Sequence, residues 1–446
     1  MTQLFARLIL ITLAVTWVQR SAQPAAAQDT TKAMDNVRVI LEYQPGVQPG
    51  LVVLPGAGLD SVRAIIGRDL DYSDRFKVIV LSESAGEPGG RGGAEGGGVN
   101  YAYYRSNFGA EFGVEIASSS GGVTARLHDL NAGQMRNQQS FSLPPQTDPG
   151  FRLQVHRMAD EIARWATGTA GIAASRVLLV SGGRVYSIDS DGEALTPLTP
   201  AGQTALSPSW APDGARFAYT LLGAGRGGVM VQSLGSSAAT QLPGTSSGLN
   251  ITPAFSPDGR LLAYAHSDET GTDVYLANVV DRCCAQRLTV GRYADNLSPT
   301  FSPDGRRIAF VSTRAGPPQI YVMAADGTDQ ELLAPFDYGA TGSSNAPEWS
   351  PDGANVVFHR EVAGSPQLFL VDVAGRRVRQ LTSSGRNEDP TWGPDGRHIT
   401  FVSDRSGGRQ LWVIDIETGR VRQLKTPGAS RLPAWSRRLS RTAVAP

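Results

Sequence analysis

Cysteine is nearly absent from this 446-residue chain: there are two, Cys283 and Cys284, and they are neighbours. Adjacent cysteines close only a small strained ring, so no disulfide framework ties distant segments together. With no histidine beside them they also make a poor metal site, and two small residues in a hairpin turn are expected instead. Net charge is missing too, with 41 Lys and Arg against 41 Asp and Glu. That balance gives no electrostatic reason to expect nucleic acid or an anionic membrane as the main partner. Past the first residues no apolar run approaches the roughly 20 residues that cross a bilayer as helix, so no membrane insertion is expected. The five histidines, at 128, 156, 266, 359 and 398, show no paired ligand spacing. Neither a metal nor another cofactor is expected.

Glycine and proline, by contrast, are plentiful, at 51 and 28. They imply many tight turns and therefore many short strands. The chain opens with Arg7, an apolar run from Leu8 to Val18, and the small residues Ala25-Ala26-Ala27. This is the pattern of a cleavable secretory signal over residues 1–27, which places a mature chain starting near Gln28 in the periplasm.

An internal repeat dominates the rest. Pro-x-aromatic-x-Pro-Asp-Gly occurs as Pro208-Ser-Trp-Ala-Pro-Asp-Gly214, Pro253-Ala-Phe-Ser-Pro-Asp-Gly259 and Pro299-Thr-Phe-Ser-Pro-Asp-Gly305. It returns as Pro347-Glu-Trp-Ser-Pro-Asp-Gly353 and Pro390-Thr-Trp-Gly-Pro-Asp-Gly396, with a decayed copy at Pro433-Ala-Trp-Ser-Arg-Arg-Leu439. The spacings are 45, 46, 48, 43 and 43 residues. Within the third unit, Pro299–Ser302, Arg307–Ser312, Gln319–Ala324 and Gln330–Leu333 read as four strands separated by turns. Four strands per unit of about 40–50 residues is the signature of a β-propeller, because one small sheet cannot bury its faces alone. Arg176–Ser181, Arg184–Asp189 and Ala194–Pro197 are later strands of a blade that lacks its first strand, and Pro433–Ser436 is a first strand with little after it. Together they predict a composite blade that closes the ring, giving six blades over residues 176–446.

Residues 34–170 mix strands and helices. Val37–Tyr43, Leu51–Leu54, Phe76–Leu81, Phe112–Ala117, Val123–Leu127 and Gln139–Leu143 read as strands. A helix is predicted over Leu59–Asp74, capped by Asp60 or Ser61, with Val62, Ile65, Ile66 and Leu70 on one face. A second starts at Asp148-Pro149, buries Phe151, Val155, Met158, Ile162 and Trp165, and ends at Gly168. Ala85–Asn100 is glycine-rich and reads as a surface loop. The expected fold class is thus an α/β N-terminal domain, with two helices on one sheet face, followed by an all-β six-bladed propeller. Thr167–Ser175 is the joint.

In a propeller, the link into each blade's innermost strand ends beside the central channel. The residues ahead of each Pro-x-aromatic should therefore ring one mouth. They are Leu206-Ser207, Asn250-Ile251-Thr252, Asn296-Leu297-Ser298, Asn345-Ala346, Asn387-Glu388-Asp389 and Arg431-Leu432. Amides that donate and accept, with apolar Ile251 and Leu297 among them, suit a protein-binding funnel. The polar stretch from Gln28, Asp29, Thr30 and Thr31 to Asn36 suits a segment that folds onto a partner.

Three stretches narrow the comparison further. Ile66-Gly-Arg-Asp-Leu-Asp-Tyr-Ser-Asp-Arg-Phe76, His156-Arg-Met-Ala-Asp-Glu-Ile162 with its linker to Arg176, and Pro433-Ala-Trp-Ser436 together resemble the TolB family of the Tol-Pal cell-envelope system. The resemblance covers nearly the whole mature chain. It implies a periplasmic protein whose propeller binds the peptidoglycan-associated lipoprotein Pal; the chain is expected to act as a monomer and not to catalyse a reaction. It also implies that the front domain and mature N-terminus engage the inner-membrane protein TolA, in support of outer-membrane integrity and constriction at division. The chain departs from the family in its glycine-rich insert at 86–98 and in Leu249 and Leu297, which replace a His and a Thr of the family.

Two motifs look catalytic. Gly244-Thr-Ser246-Ser-Gly248 matches a serine-hydrolase elbow, but that motif needs a strand before it and a helix after it. Gly223-Ala-Gly225-Arg-Gly-Gly228 matches a dinucleotide fingerprint, yet it falls between two strands of one unit and opens no helix. Rival readings are the propeller module of a prolyl-oligopeptidase-type hydrolase, which would need a catalytic α/β domain, and a small-molecule sensor propeller.

Overall fold

The computed structural model describes residues 48–82, 99–223, 226–291, 294–336, 342–426 and 428–440. The signal sequence, Gln28–Thr31, the strand expected at Val37–Tyr43 and nearly all of the glycine-rich loop lie outside them.

Among the described residues the front region is a five-stranded sheet with helices on both faces. Its strands are β1 (Gly50–Val53), β2 (Lys77–Val80), β3 (Phe112–Ser119), β4 (Gly122–Asp129) and β5 (Gln134–Ser142), in spatial order β2-β1-β3-β4-β5. β1 runs parallel to β2 and β3, while β3, β4 and β5 form an antiparallel meander. Alternation along β1 sorts its side chains: Leu51 and Val53 pack with helices α1 (Asp60–Tyr72) and α3 (Phe151–Thr167). Val52 and Leu54 point to the other face, under Tyr104 of helix α2 (Tyr101–Phe108).

Helix α2 corrects the expectation of two helices on one face. Its aromatic-rich run YAYYRSNF has no apolar stripe of helical period, but its ends carry signals: the Asn100 side chain accepts from Tyr103 N–H at 3.0 Å, and Gly109 closes it at φ +60°. The cap expected for α1 is also corrected. Asp60 lies inside the first turn, where it pairs with Arg63 at 2.9 Å, and Leu59 at the cap position makes no side-chain bond. Gly67 lets α1 lie close to β2, since a Cβ there would run into the Val80 side chain.

From residue 176 onward the described residues form strands and turns without a helix. Asn296–Phe301, Arg307–Ser312, Gln319–Ala324 and Glu331–Leu332 form one antiparallel four-stranded sheet. Two more follow, over Ser344–Gln380 and Asn387–Leu424. In a fourth, Arg431–Trp435 from the chain's end pairs with Arg176–Ser181, followed by Arg184–Asp189 and Thr196–Pro197. Both ends of the region thus share one sheet.

The remaining eight strands differ from the expected pattern of separate blades. Thr204–Gln241 and Leu249–Arg287 each supply four strands, but one parallel contact, Gly227 against Leu249, joins them into a single sheet. The join depends on a glycine, because a Cβ on Gly227 would meet Leu249 Cδ1 at 2.8 Å.

The front region and the β region belong to one compact unit, Tyr43–Pro446, and meet across a charged seam. The segment ending α1 carries Arg68, Asp69, Asp71, Asp74 and Arg75. These face Asp191 and Glu193 on one sheet, and Asp395, His398 and Arg420 on the next. His156 of α3 bridges Asp69 at 2.7 Å and Asp189 at 3.4 Å. His398 bridges Asp395 at 2.8 Å and Asp74 at 3.1 Å.

Candidate functional site at the channel mouth

Each of six strands beginning a four-strand run carries the same irregularity. Ser207, Thr252, Ser298, Ala346, Asp389 and Leu432 all have left-handed backbone, with φ between 47° and 54°, and each precedes a proline. A register shift in the pairing to the second strand accompanies every one. Proline excludes the right-handed helical conformation from the residue before it, and a left-handed non-glycine residue costs roughly 1–3 kcal/mol. This cost is met six times over by the pairing on either side of the bulge. The six residues and their prolines surround a cavity of about 180 Å³, the mouth. A larger cavity of about 740 Å³ is walled by the Pro-x-aromatic segments and by Arg437 and Arg438.

The structure separates the expected mouth residues by their distance from proline. Three places before it, Asn250, Asn296 and Asn387 are fully buried and cannot touch a partner directly. Asn250 Nδ2 donates to Gly227 O at 2.7 Å, and its Oδ1 faces His266 Nδ1 at 2.8 Å. Asn296 Nδ2 donates to Asp273 Oδ1 at 3.0 Å, while Arg314 donates to its Oδ1 at 3.1 Å. Asn387 repeats the arrangement with Gln367 at 2.8 Å and Arg405 at 2.8 Å. Each amide therefore bolts a third strand of the preceding four-strand run to the second strand of its own, or to the arginine just past that strand's end. In the fourth unit Ser344 holds this place and accepts from Arg360 Nε at 3.0 Å. Asn345 stands one residue later.

Two places before proline, Ile251, Leu297, Asn345 and Glu388 are half-exposed, and Arg431 is exposed. Thr252, Ser298, Ala346 and Asp389, directly before proline, are half-exposed and line the mouth cavity. The surface is thus mixed apolar and small, with acidity gathered at Glu388 and Asp389. Glu388 pairs with Arg386 at 3.1 Å and Arg409 at 3.2 Å. Asp389 N–H donates to His359 Nδ1 at 3.2 Å. Burial pushes the Asp389 carboxyl up despite the nearby imidazole, and burial holds His359 below its usual range. Deeper in, Glu348 lines the larger cavity; burial lifts it to about 7, although Thr391 donates to its carboxylate.

In the sequence His359 was singled out only as a histidine without paired ligand spacing, and Arg386 and Arg409 were not singled out. His359 lies on strand Asn355–Val362, Arg386 directly before Asn387, and Arg409 directly before strand Gln410–Asp415. The bolting arginines did leave a trace: Ser312-Thr-Arg314 and Ser403-Asp-Arg405 recur at matching places. The serine hydroxyl accepts from the arginine Nε at 2.9 Å in one and 3.0 Å in the other.

Spacing along the chain gave no hint of two buried clusters at the seam, Asp69–His156–Asp191 and Asp74–His398–Asp415, that have ligand-like geometry. Arginine occupies the place a cation would take. Arg152 meets Asp191 at 2.6 Å and Arg68 meets it at 2.9 Å; Arg397 pairs with Asp415, and Arg420 meets Asp74 at 2.8 Å. Burial disfavours the imidazoliums, yet the carboxylates outweigh it and push His156 up to about 10 and His398 up to about 9.

The elbow-like Gly244–Gly248 joins strands Ala239–Gln241 and Leu249–Phe255, and Gly223–Gly228 connects an antiparallel pair. Neither opens a helix. The adjacent cysteines are bonded as a disulfide, which corrects the expectation of two plain turn residues.

Residues 165–338 and 337–444 match the family model described as TolB beta propeller domain. The Tol-Pal system protein TolB of Methylobacillus flagellatus is 31% identical over 207 residues, 44% of this chain and 45% of that protein. Its counterpart from Sodalis glossinidius is 28% identical over 227 residues, 48% of this chain and 50% of that protein. The chain spans about half the length of the curated relatives it matches. The crystal structure of TolB from Acinetobacter baumannii superposes with a TM-score of 0.74 at 21% identity, covering 88% of this chain and 98% of that one, a likeness of fold. With its repeats matched across well over half its length, the chain belongs to the TolB β-propeller family.

Proposed function

We propose that this chain is a non-enzymatic, periplasmic protein-binding component of a Tol-Pal system. In this reading the α/β domain spans 34–170 and the propeller 176–446, with six blades: the eight-stranded sheet is two blades that touch through Gly227. The mouth takes a segment of a Pal-like lipoprotein. The front domain and the stretch beginning Gln28-Asp29-Thr30-Thr31 engage a TolA-like inner-membrane protein, so that a monomer couples the two membranes for outer-membrane integrity and constriction. The observation that carries the reading is the mouth, where half-exposed Ile251 and Leu297 stand beside an acidic pair on a backbone ring held rigid by buried amides. Rigid concave surfaces with apolar anchors and polar orientation suit protein segments. No helix among the described residues is long and apolar enough to cross a membrane.

The test is direct binding of the purified chain to soluble Pal-like and TolA-like domains. Leu297→Arg combined with Glu388→Lys should weaken the first interaction at least about tenfold and leave the second intact. Deleting Gln28–Asn36 should do the reverse. Unchanged affinity for both would reject the assignment.

A further inference from the structure

The bonded pair Cys283–Cys284 does no structural stapling. A disulfide stabilises by shortening the loops open to the unfolded chain, and a bond between neighbours closes no loop of consequence. Its placement points elsewhere. The pair begins the strand Cys283–Arg287, which pairs with Gly271–Asn278 on one side only. Cys284 through Arg287 are exposed and Cys283 is half-exposed, so a reagent can reach the sulfurs.

The local backbone is also unusual. Asn278 faces Cys283 and Leu276 faces Gln286, which leaves Cys284 and Ala285 together opposite Ala277. Arg282 at φ 53° and Cys284 at φ 66° are both left-handed, a region that residues with a Cβ avoid. The ring therefore sits on a kinked, bulged strand end at the outside of its sheet, and opening the ring removes a covalent restraint from that bulge.

We propose that Cys283–Cys284 is a reversible thiol–disulfide exchange site whose co-reactant is a dithiol, small or borne by a protein. A thiolate of the dithiol attacks one ring sulfur, the Cys283–Cys284 bond breaks, and a mixed disulfide forms as the other cysteine leaves as a thiolate. The second thiol of the reagent then displaces the first cysteine. Two electrons and two protons pass to the pair, and the dithiol becomes a disulfide. In the reduced chain the two adjacent thiols form a chelating pair for trivalent arsenicals, and the bulge relaxes.

Alkylation of the native full chain, read by intact mass, tests the site. Without reductant no iodoacetamide adduct is expected; after dithiothreitol two are expected, and one phenylarsine oxide per chain should bind in competition with them. Cys283→Ser and Cys284→Ser should each abolish arsenical capture. Ready alkylation without reductant, or resistance of the native pair to dithiothreitol, would overturn the proposal. Amide exchange tests the relaxation: reduction should speed exchange at Leu276–Asn278 and Cys283–Arg287 several-fold, and the Cys283→Ser/Cys284→Ser double variant should match the reduced chain. Equal exchange in oxidised and reduced chains would overturn the coupling to the bulge.

Discussion

The seam and the mouth are both built from buried polar groups, but the seam is saturated with full charges whereas the mouth is set on neutral amides. At the seam, Asp74, His398, Asp395 and Arg420 leave almost no ionic group without an opposite neighbour. At the mouth, Asn250, Asn296 and Asn387 each satisfy donors and acceptors between neighbouring four-strand units and leave the next residue facing out. Desolvated charges give a rigid joint only while every partner is present. Neutral amides position a surface at lower electrostatic cost, and they keep the charged groups of that surface available to a partner. The seam holds parts together; the mouth is held ready.

The sharpest way to break this contrast is Asp74→Ala, which strips both His398 and Arg420 of a partner at a site 1% exposed. Removing one member of a buried ion pair costs about 3–5 kcal/mol, so a large drop in the urea midpoint is expected, with binding at the mouth retained by the folded fraction. A change below about 1 kcal/mol would mean that the seam is not the joint its geometry suggests.

Titration should separate the two regions next. His156 and His398 are raised in the fold, to about 10 and about 9, from about 6.5 in the unfolded chain. Their contribution is complete below about pH 6.5 and is lost as pH rises toward about 9–10, because over that window the folded state holds protons the unfolded state has shed. Asp189 and Asp395 are lowered, against burial, by their imidazole and arginine neighbours, so their contribution exists above the ordinary carboxylate range and fades in acid. Thermal denaturation between pH 6 and 10 should show stability falling with pH, and His398→Gln should flatten that slope. An equal slope in the variant would remove His398 from the account.

At the mouth the position behind the surface and the surface itself should part ways. Asn296→Ala leaves Asp273 and Arg314 without their amide and should cost about 1–3 kcal/mol in denaturant melts. Leu297→Ala, half-exposed, should change stability by less than about 1 kcal/mol while weakening partner binding. Equal stability losses in the two would erase the distinction. The smallest effect is expected at Ala346, whose φ of 51° suits glycine better. Ala346→Gly should be neutral or stabilising by up to about 1 kcal/mol, whereas the same change in regular strand would destabilise.

The sheets of the β region were readable because each repeat spells its own turns. Pro-Asp-Gly presets one turn, Asp326-Gly327 another, and the strands between them, such as Arg307–Ser312, fall where the alternation puts them. Helix α2 was not readable, since its aromatic residues serve a sheet face that only the sheet itself defines. The mouth was half readable. Its positions followed from the repeat, but the side of the strand facing solvent shifts at the left-handed residue before proline, and that bulge carries no residue signature: Ser, Thr, Ala, Asp and Leu all occupy it. Asparagine was thus expected to face out at positions where it is buried. Asn345 differs only because it stands one place nearer to proline.

Local chemistry therefore determined the repeat, its turns and the strand lengths, since each depends on residues a few positions apart, and the incomplete repeat units at the two ends made the closing strand legible although Arg431 pairs with distant Val180. Tertiary structure alone decided the seam, the buried amide bolts and the fusion at Gly227, because these join groups tens to hundreds of residues apart, such as Asp74 and His398. Whether a charge is paired or an amide is buried depends on what the fold brings beside it, and no local pattern encodes that neighbour.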